Sequence, residues 1–111
     1  MQEKDLMRRT RLTSMSYAAG AVVRMLNLCC GSFYRLRNIG PILGDEEQIP
    51  ASELRAALDY LADSGYIEVR TVKDRKTARI TDSELEELEC KLTPKGLRLA
   101  NGFVEDPLVK P

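Results

Sequence analysis

The sequence contains no histidine and no tryptophan, and its formal net charge is zero. Without histidine, a Ser–His–Asp triad, a histidine general base and a histidine-ligated metal are all excluded. A glycine-rich phosphate-binding loop of the G-x-G-x-x-G type is also missing. We therefore expect no catalytic residues, no cofactor and no enzymatic activity.

Cysteine is scarce, and long apolar runs are absent. Cys29, Cys30 and Cys90 include no C-x-x-C pair, so we expect no metal site and interpret them as small buried hydrophobic residues in a reducing compartment. No apolar run approaches the roughly 20 residues that a membrane span requires. Residues 1–5 lack the pattern of a signal peptide. We expect a cytoplasmic protein with no membrane contact.

The composition that is present suits one small domain. The chain has 111 residues, of which 43% are hydrophobic and 31% charged, which allows one core. Charge alternates in blocks along the sequence. Residues 1–40 carry seven cations and two acids, and residues 41–69 carry one cation and seven acids. Residues 70–80 carry five cations and one acid, and residues 81–93 carry one cation and five acids. The fold decides which of these blocks meet on one surface.

The first helix is predicted from apolar positions spaced alternately three and four apart between residues 12 and 29. The apolar stripe begins before the rest of the fold, so we predict a homodimer with five interface candidates: Leu12, Met15, Ala19, Val22 and Leu26. Packing within its own domain is the default alternative, because the stripe covers fewer than three heptads. Gly31 should end this helix, and Ser32 can cap the next one.

Two further helices are expected before the first strand. A short one over residues 33–44 would bury Leu36, Ile39 and Leu43, and Gly40-Pro41 should break or kink it. Residues 45–48 read as a polar connection. The third helix begins at Pro50 and ends before Gly65, and its inward face carries Leu54, Ala57, Leu58 and Leu61.

The pattern then changes to the alternation of a strand. Residues 66–72 and residues 88–92 both alternate, which predicts a two-stranded antiparallel hairpin. In the long connection between them, Thr81 and Glu84 have the spacing of a capping box, and Ile80 and Leu85 that of a hydrophobic staple, which predicts one short helix over about 82–88.

The end of the sequence predicts a closing helix and an irregular tail. Thr93 and Pro94 suit the N-cap and first turn of a helix that runs to Gly102. The expected organisation is one domain over residues 1–111. It comprises an N-terminal helix (1–30), a core (33–102) and a tail (103–111).

Two stretches resemble the winged helix-turn-helix superfamily, in particular small regulators of the MarR, PadR and ArsR types. Residues 54–67, LRAALDYLADSGYI, are similar to the third helix of those proteins and its entry into the wing. Residues 92–100, LTPKGLRLA, match the Leu-Thr-x-x-Gly at which the last strand of the wing becomes a helix. The resemblance covers about residues 33–102 and implies a mainly α fold with a small antiparallel β wing, although the wing is longer than usual. The compact plan and short Pro-bounded tail also resemble uncharacterised winged-helix proteins of phages and prophages.

This resemblance implies a protein that binds double-stranded DNA, such as a transcriptional regulator of phage or prophage origin. In the DNA-binding members the third helix enters the major groove and the wing contacts the backbone or minor groove. The candidate contact residues are Ser52 and Arg55 on the third helix, and Arg70, Lys73, Arg75, Lys76 and Arg79 in the wing. Further cations could extend this strip, namely Arg8, Arg9, Arg11, Arg35 and Arg37.

An interaction module that binds protein and not DNA is the alternative function. Arg55 is the only cation on the outward face of the third helix, where Asp59 and Asp63 would repel phosphates. That acidic face could instead receive a protein. The basic strip could likewise pair with the acidic 82–89 stretch or with a partner chain.

Overall fold

The computed structural model describes the backbone of residues 3–29 and 31–109 and the side chains of residues 14–29, 31–45 and 47–109. This part of the chain forms four α-helices and a three-stranded antiparallel sheet, which confirms the mainly helical prediction at that level. The helices are α1 (Glu3–Leu28), α2 (Leu36–Glu46), α3 (Ala51–Asp63) and α4 (Pro94–Ala100), and the strands are β1 (Tyr34–Arg35), β2 (Ile67–Thr71) and β3 (Leu88–Leu92). Two 3₁₀ turns, Ile80–Asp82 and Leu85–Glu87, lie between β2 and β3.

The central element of the core is α1, which packs mainly against α3 and also against α4 and β3. Its buried residues are mostly small or β-branched: Ser16, Ala18, Ala19, Ala21, Val22, Val23 and Leu26. This surface is wider than the stripe predicted from the sequence, because neighbours cover α1 on several sides. None of the helices in the described ranges has the length and apolar content needed to cross a bilayer.

The second helix differs from its prediction in three ways. It begins at Leu36, after β1, and Arg35 occupies the N-cap position without a side-chain hydrogen bond, so Ser32 does not cap it. It also continues through Pro41 to Glu46 and takes in part of the expected polar connection. Pro41 removes one backbone hydrogen bond, but Pro41 lies on the exposed side where water can satisfy the free carbonyl. Burial of the predicted face, Leu36, Ile39 and Leu43, holds the helix together.

The third helix and the two predicted strands agree closely with the sequence analysis. The predicted inward face of α3 is buried, and Gly65 follows it in the left-handed conformation with φ +80°. β2 and β3 pair antiparallel from Ile67 opposite Leu92 to Thr71 opposite Leu88. The unpredicted β1 joins the other edge of β3, which gives the sheet order β1-β3-β2.

The connection between β2 and β3 does not contain the predicted helix over 82–88. Thr81 lies inside the first 3₁₀ turn and makes no capping bond, and neither 3₁₀ turn has a side-chain cap. The backbone at Ser83 and Glu84 is extended. The two apolar residues of the predicted staple do turn inward, since Ile80 is buried and Leu85 is half-buried against the core. The prediction of a capping box is therefore wrong, whereas Ile80 and Leu85 do turn toward the core as the predicted staple requires.

The two stretches that carry the family resemblance contact each other where α4 begins. The Thr93 hydroxyl donates to the Gly65 carbonyl (2.6 Å) and accepts from the backbone N–H of Gly96 (3.1 Å), which confirms Thr93 as an N-cap. The Thr93 N–H donates to the Tyr66 carbonyl (3.0 Å). A Cβ at position 96 would lie only 2.0 Å from that carbonyl oxygen, so only glycine fits there.

The C-terminal tail has little regular structure but is held in place. The Asp106 carboxylate accepts hydrogen bonds from the Tyr60 hydroxyl (2.7 Å), the Tyr66 hydroxyl (2.8 Å) and the Leu108 N–H (2.9 Å). Val109 is buried beyond this point. Residues 106–109 are therefore part of the packed structure.

Candidate functional site

The most prominent charged feature is a turn that extends from the end of β2, here called the basic turn (residues 73–79). Its four cations, Lys73, Arg75, Lys76 and Arg79, all have exposed side chains. The turn is closed by backbone bonds from Arg75 N–H to the Thr71 carbonyl (3.0 Å) and from Thr71 N–H to the Lys76 carbonyl (2.9 Å). Arg75 adopts φ +55°, the left-handed geometry that such a turn requires.

In its second half, the basic turn returns along the outer edge of β2. Arg70 and Thr77 form an antiparallel bridge, and the Ala78 N–H donates to the Val69 carbonyl (3.1 Å). β2 is therefore paired along both edges over this stretch. The cations of the basic turn consequently stand on a hydrogen-bonded frame rather than on an unsupported loop.

The cations of the basic turn are not neutralised by the acidic residues that follow them in sequence. Among the side chains that the structure describes, no carboxylate lies within 4.0 Å of the charged groups of the four cations. Asp74 is the only acid within the turn itself. The predicted pairing with the acidic 82–89 stretch is thus limited to Arg70 and Glu89.

Arg70 differs from the other candidates of the strip because it is held within the chain. Its Nε lies 3.0 Å from Glu89 Oε1, and its guanidinium carbon is 3.4 Å from the centre of the Phe33 ring. Only 26% of its side chain is exposed. A phosphate would have to compete with both partners, so Arg70 is a poor contact residue.

Arg35 lies on the same face of the sheet as Arg70. The register places Arg35 opposite Glu89, and Glu89 opposite Arg70, so the three side chains share one face across three strands. At the usual strand spacing, Arg35 and Arg70 are about 10 Å apart. Arg35 and Arg37 are both exposed. The side chains of Arg8, Arg9 and Arg11 lie outside the described residues.

The outward face of α3 is partly covered by the chain that follows the basic turn. One guanidinium nitrogen of Arg55, Nη1, donates to the carbonyls of Ile80 (2.6 Å) and Ser83 (3.2 Å). The only cation on the outward face of α3 therefore holds residues 80–83 against this helix by hydrogen bonds. Ser52, the other candidate on α3, is exposed.

A cleft of about 560 Å³ lies between α3, β2 and the returning chain. Asp59, Asp63 and Glu68 contribute carboxylates to its lining, and Arg79 lies at the same cleft. No group of three or more potential metal ligands is arranged to hold an ion within the ranges that the structure describes. The cleft gives this side of the molecule a predominantly acidic surface.

The two described cysteines lie in different surroundings. Cys90 is fully buried in β3, and burial raises the pKa of its thiol to about 12, which keeps it protonated at neutral pH. Cys29 is half-buried, and its sulfur lies 3.5 Å from the Met25 carbonyl oxygen. Cys30 lies outside the described residues.

With this geometry in view, the chain was compared with known proteins. No family model, curated protein or solved structure matches it. The family resemblance therefore rests on the two stretches of sequence alone, and functional assignment has to be argued from the side chains of this molecule.

Three of the five candidate dimer residues are buried by their own chain. Ala19, Val22 and Leu26 are at most 1% exposed, and Met15 is half-buried against the same core. The Leu12 side chain lies outside the described residues. The homodimer stays a prediction, but these three residues could not reach a second copy without opening the core.

Proposed function

We propose that this chain is a winged-helix protein that binds duplex DNA through the phosphate backbone, with the basic turn as its main contact. The observation that carries the proposal is the set of exposed cations in the basic turn, which have no carboxylate partner among the described side chains. Lys73, Arg75 and Lys76 also do not line the acidic cleft, whereas Arg79 does. Each such cation can neutralise one phosphate and release a counterion. Because the whole chain has no net charge, binding depends on this local excess.

The arrangement of the elements supports the winged-helix part of the proposal. Three helices precede a β2–β3 antiparallel hairpin, and the hairpin leads directly into a closing helix. The two stretches that resemble the family meet through the bonds of Thr93 with Gly65 and Tyr66. The basic turn extends from the hairpin, where the wing of the family would lie.

In this proposal α3 contributes little to reading the base sequence. Arg55 is bonded to the connection, and Asp59 and Asp63 face the acidic cleft, where a phosphate backbone would be repelled. Base edges in the major groove are read mainly by Arg, Lys, Asn and Gln. Binding should therefore be nearly independent of sequence. Regulation of transcription would then require specificity supplied elsewhere, and that role is inferred only from the family resemblance.

The test is fluorescence anisotropy with a short random duplex at several salt concentrations below 0.1 M. Three phosphate contacts, from Lys73, Arg75 and Lys76, predict a slope of log K against log salt of about −3. Replacing Arg75 and Lys76 together by Ala should reduce the size of the slope by about 2, and it should weaken binding equally for several unrelated duplexes.

A matched control removes the same charge elsewhere. Lys95 and Arg98 of α4 are exposed and lie outside the basic turn, so Lys95→Ala combined with Arg98→Ala should change the slope much less. Equal effects of the two double variants would show a general charge effect and contradict a specific role for the turn. Absence of binding by the unmodified chain at the lowest salt would refute the DNA-binding proposal.

The acidic cleft favours one second candidate, an interaction module that takes a basic protein segment. Asp59, Asp63 and Glu68 line the cleft, and the carboxylates that oppose DNA binding would attract such a segment. A failed DNA titration, together with salt-sensitive binding of a Lys/Arg-rich peptide that is lost in the Asp59→Asn, Asp63→Asn variant, would favour this function instead.

A further inference from the structure

Phe103 is unusually exposed for a phenylalanine in a chain that has only two. Its side chain is 82% exposed, and it follows the C-terminus of α4. Leu28, at the C-terminus of α1, is 83% exposed, and Leu97 of α4 is 37% exposed. The Asn101 side chain donates to the Asn27 side chain (3.4 Å), so the ends of α1 and α4 lie side by side. These exposed apolar residues therefore belong to one end of the molecule.

The backbone that presents Phe103 is fixed by a Schellman motif. Gly102 adopts φ +82°, its N–H donates to the Leu99 carbonyl (3.3 Å), and the Phe103 N–H donates to the Arg98 carbonyl (2.9 Å). The backbone that carries Phe103 is thus part of a well-formed helix end rather than of a loose segment.

The same motif ends α3, but there it buries its aromatic residue. Gly65 adopts φ +80°, and the Tyr66 N–H donates to the Leu61 carbonyl (2.9 Å). Tyr66 and Leu61 are both buried, which is the usual apolar contact of this motif. In α4 the residue equivalent to Leu61 is Arg98, so Phe103 lacks this apolar partner. The contrast shows that exposure of Phe103 is a property of the sequence and not of the motif.

An apolar groove of about 800 Å³ lies between α1, α2 and α4. Met25, Ile42, Leu43 and Leu99 supply much of its apolar lining, and Gly102 lines it directly before Phe103. At the same groove, Arg24 and Glu47 form a loose ion pair of 3.9 Å, with 44% and 35% of their side chains exposed. One surface therefore carries a protruding aromatic ring, a groove and one charge of each sign.

We propose that this surface pairs with a second copy of the chain about a two-fold axis, with Phe103 of each copy in the groove of the other. A two-fold interface must be complementary to itself, because the same patch is used by both copies. An aromatic ring beside an apolar groove meets this condition, and so does Arg24 beside Glu47, which can face Glu47 and Arg24 across the axis. This interface differs from the α1 stripe predicted from the sequence, of which Ala19, Val22 and Leu26 are buried in the core.

The test is sedimentation equilibrium of the full chain from 1 to 100 μM. The unmodified chain should form a dimer in this range. Phe103→Ser should raise the dimer dissociation constant by about 100-fold or more, because two buried aromatic rings are lost from each dimer. Phe103→Leu is the matched control and should remain dimeric, since it keeps an apolar side chain at the same position.

A second variant pair tests the charges of the interface. Arg24→Glu alone should weaken the dimer, and Arg24→Glu combined with Glu47→Arg should restore it, because the exchange leaves opposite charges facing each other. Circular dichroism would verify that each variant is folded, which we expect because Phe103 and Arg24 are exposed. A monomer at 100 μM would overturn the proposal, and so would a dimer that Phe103→Ser leaves unchanged. Neither result depends on whether the chain binds DNA.

Discussion

Replacing Gly96 by Ala tests the contact on which the whole arrangement of α3, the sheet and α4 depends. The added Cβ would lie 2.0 Å from the Tyr66 carbonyl oxygen and 3.0 Å from both the Tyr66 carbonyl carbon and a Leu92 methyl group. The methyl group of Leu92 could rotate away. The Tyr66 carbonyl is backbone and accepts a hydrogen bond from Thr93 N–H, so it cannot move independently of α4.

The cost follows from what has to shift. The distance from the added Cβ to the Tyr66 carbonyl oxygen has to grow from 2.0 Å to at least 3.0 Å, so α4 would have to move by about 1 Å. This movement would strain the hydrogen bonds of Thr93 with Tyr66 and Gly65. Each is worth about 1 kcal/mol, and overpacking adds about 1–3 kcal/mol. The better helix propensity of alanine returns at most about 1 kcal/mol. The expected net loss of unfolding free energy is about 2–4 kcal/mol.

Thermal and urea denaturation measure this loss directly. For a domain of 111 residues, 1 kcal/mol corresponds to about 4 °C, so Tm should fall by roughly 8–16 °C. Gly44→Ala is the control, because Gly44 lies inside α2 and an added Cβ would meet only the Ile49 carbonyl oxygen, at an ordinary 3.9 Å. This variant should be more stable than the unmodified chain by about 0.5–1 kcal/mol. A Gly96→Ala variant as stable as the unmodified chain would show that α4 does not rest on the Tyr66 carbonyl.

Two other contacts give predictions of the same kind. Arg55→Met keeps the aliphatic part of the side chain but loses the hydrogen bonds to the Ile80 and Ser83 carbonyls. It should lower the free energy of unfolding by about 2 kcal/mol and speed amide hydrogen exchange in residues 80–87. Unchanged exchange there would show that Arg55 does not hold this segment against α3. Burial raises the pKa of the Asp106 carboxyl, but hydrogen bonds, first among them that from Tyr60, outweigh burial and leave the pKa below its ordinary value of 3.8. Its stabilising effect should therefore be present above pH 3.8 and lost at lower pH in a urea titration, and Asp106→Asn should lose that dependence. The same variant should lower the pKa of Tyr66, which burial and then the bond to Asp106 raise to about 12, and ultraviolet titration at alkaline pH would detect the change.

The parts of the fold that the sequence predicted well are those with local markers at both ends. Gly65 ends α3 because glycine accepts φ +80° at no steric cost, and Thr93-Pro94 starts α4 because the side chain of the first and the ring of the second both suit a helix N-terminus. The alternation over 66–72 and 88–92 gave the β2–β3 pairing. Local chemistry fixes these boundaries, so a single sequence is enough to find them.

The errors occurred where distant residues decide the local structure. Pro41 does not break α2, because the buried face of that helix compensates for one missing hydrogen bond. β1 consists of only two residues and exists through its pairing with β3, so no alternation could reveal it. The capping box at Thr81 does not form, and Arg55, 26 positions earlier in the chain, binds the carbonyls of Ile80 and Ser83. None of these partners can be identified from spacing alone.

Distant residues also determine which of the candidate DNA contacts are available. The sequence identifies five cations between residues 70 and 79, but it cannot show which are already paired. The sheet register pairs Arg70 with Glu89 and places it on Phe33, whereas Arg75 stands in a turn beyond the strands. A paired cation has to give up its partner before it can bind a phosphate, and an unpaired one does not. For a chain with no net charge, binding to a polyanion should therefore depend on the cations left without an internal partner. In the described part of the chain, Lys73, Arg75 and Lys76 of the basic turn are exposed cations of this kind.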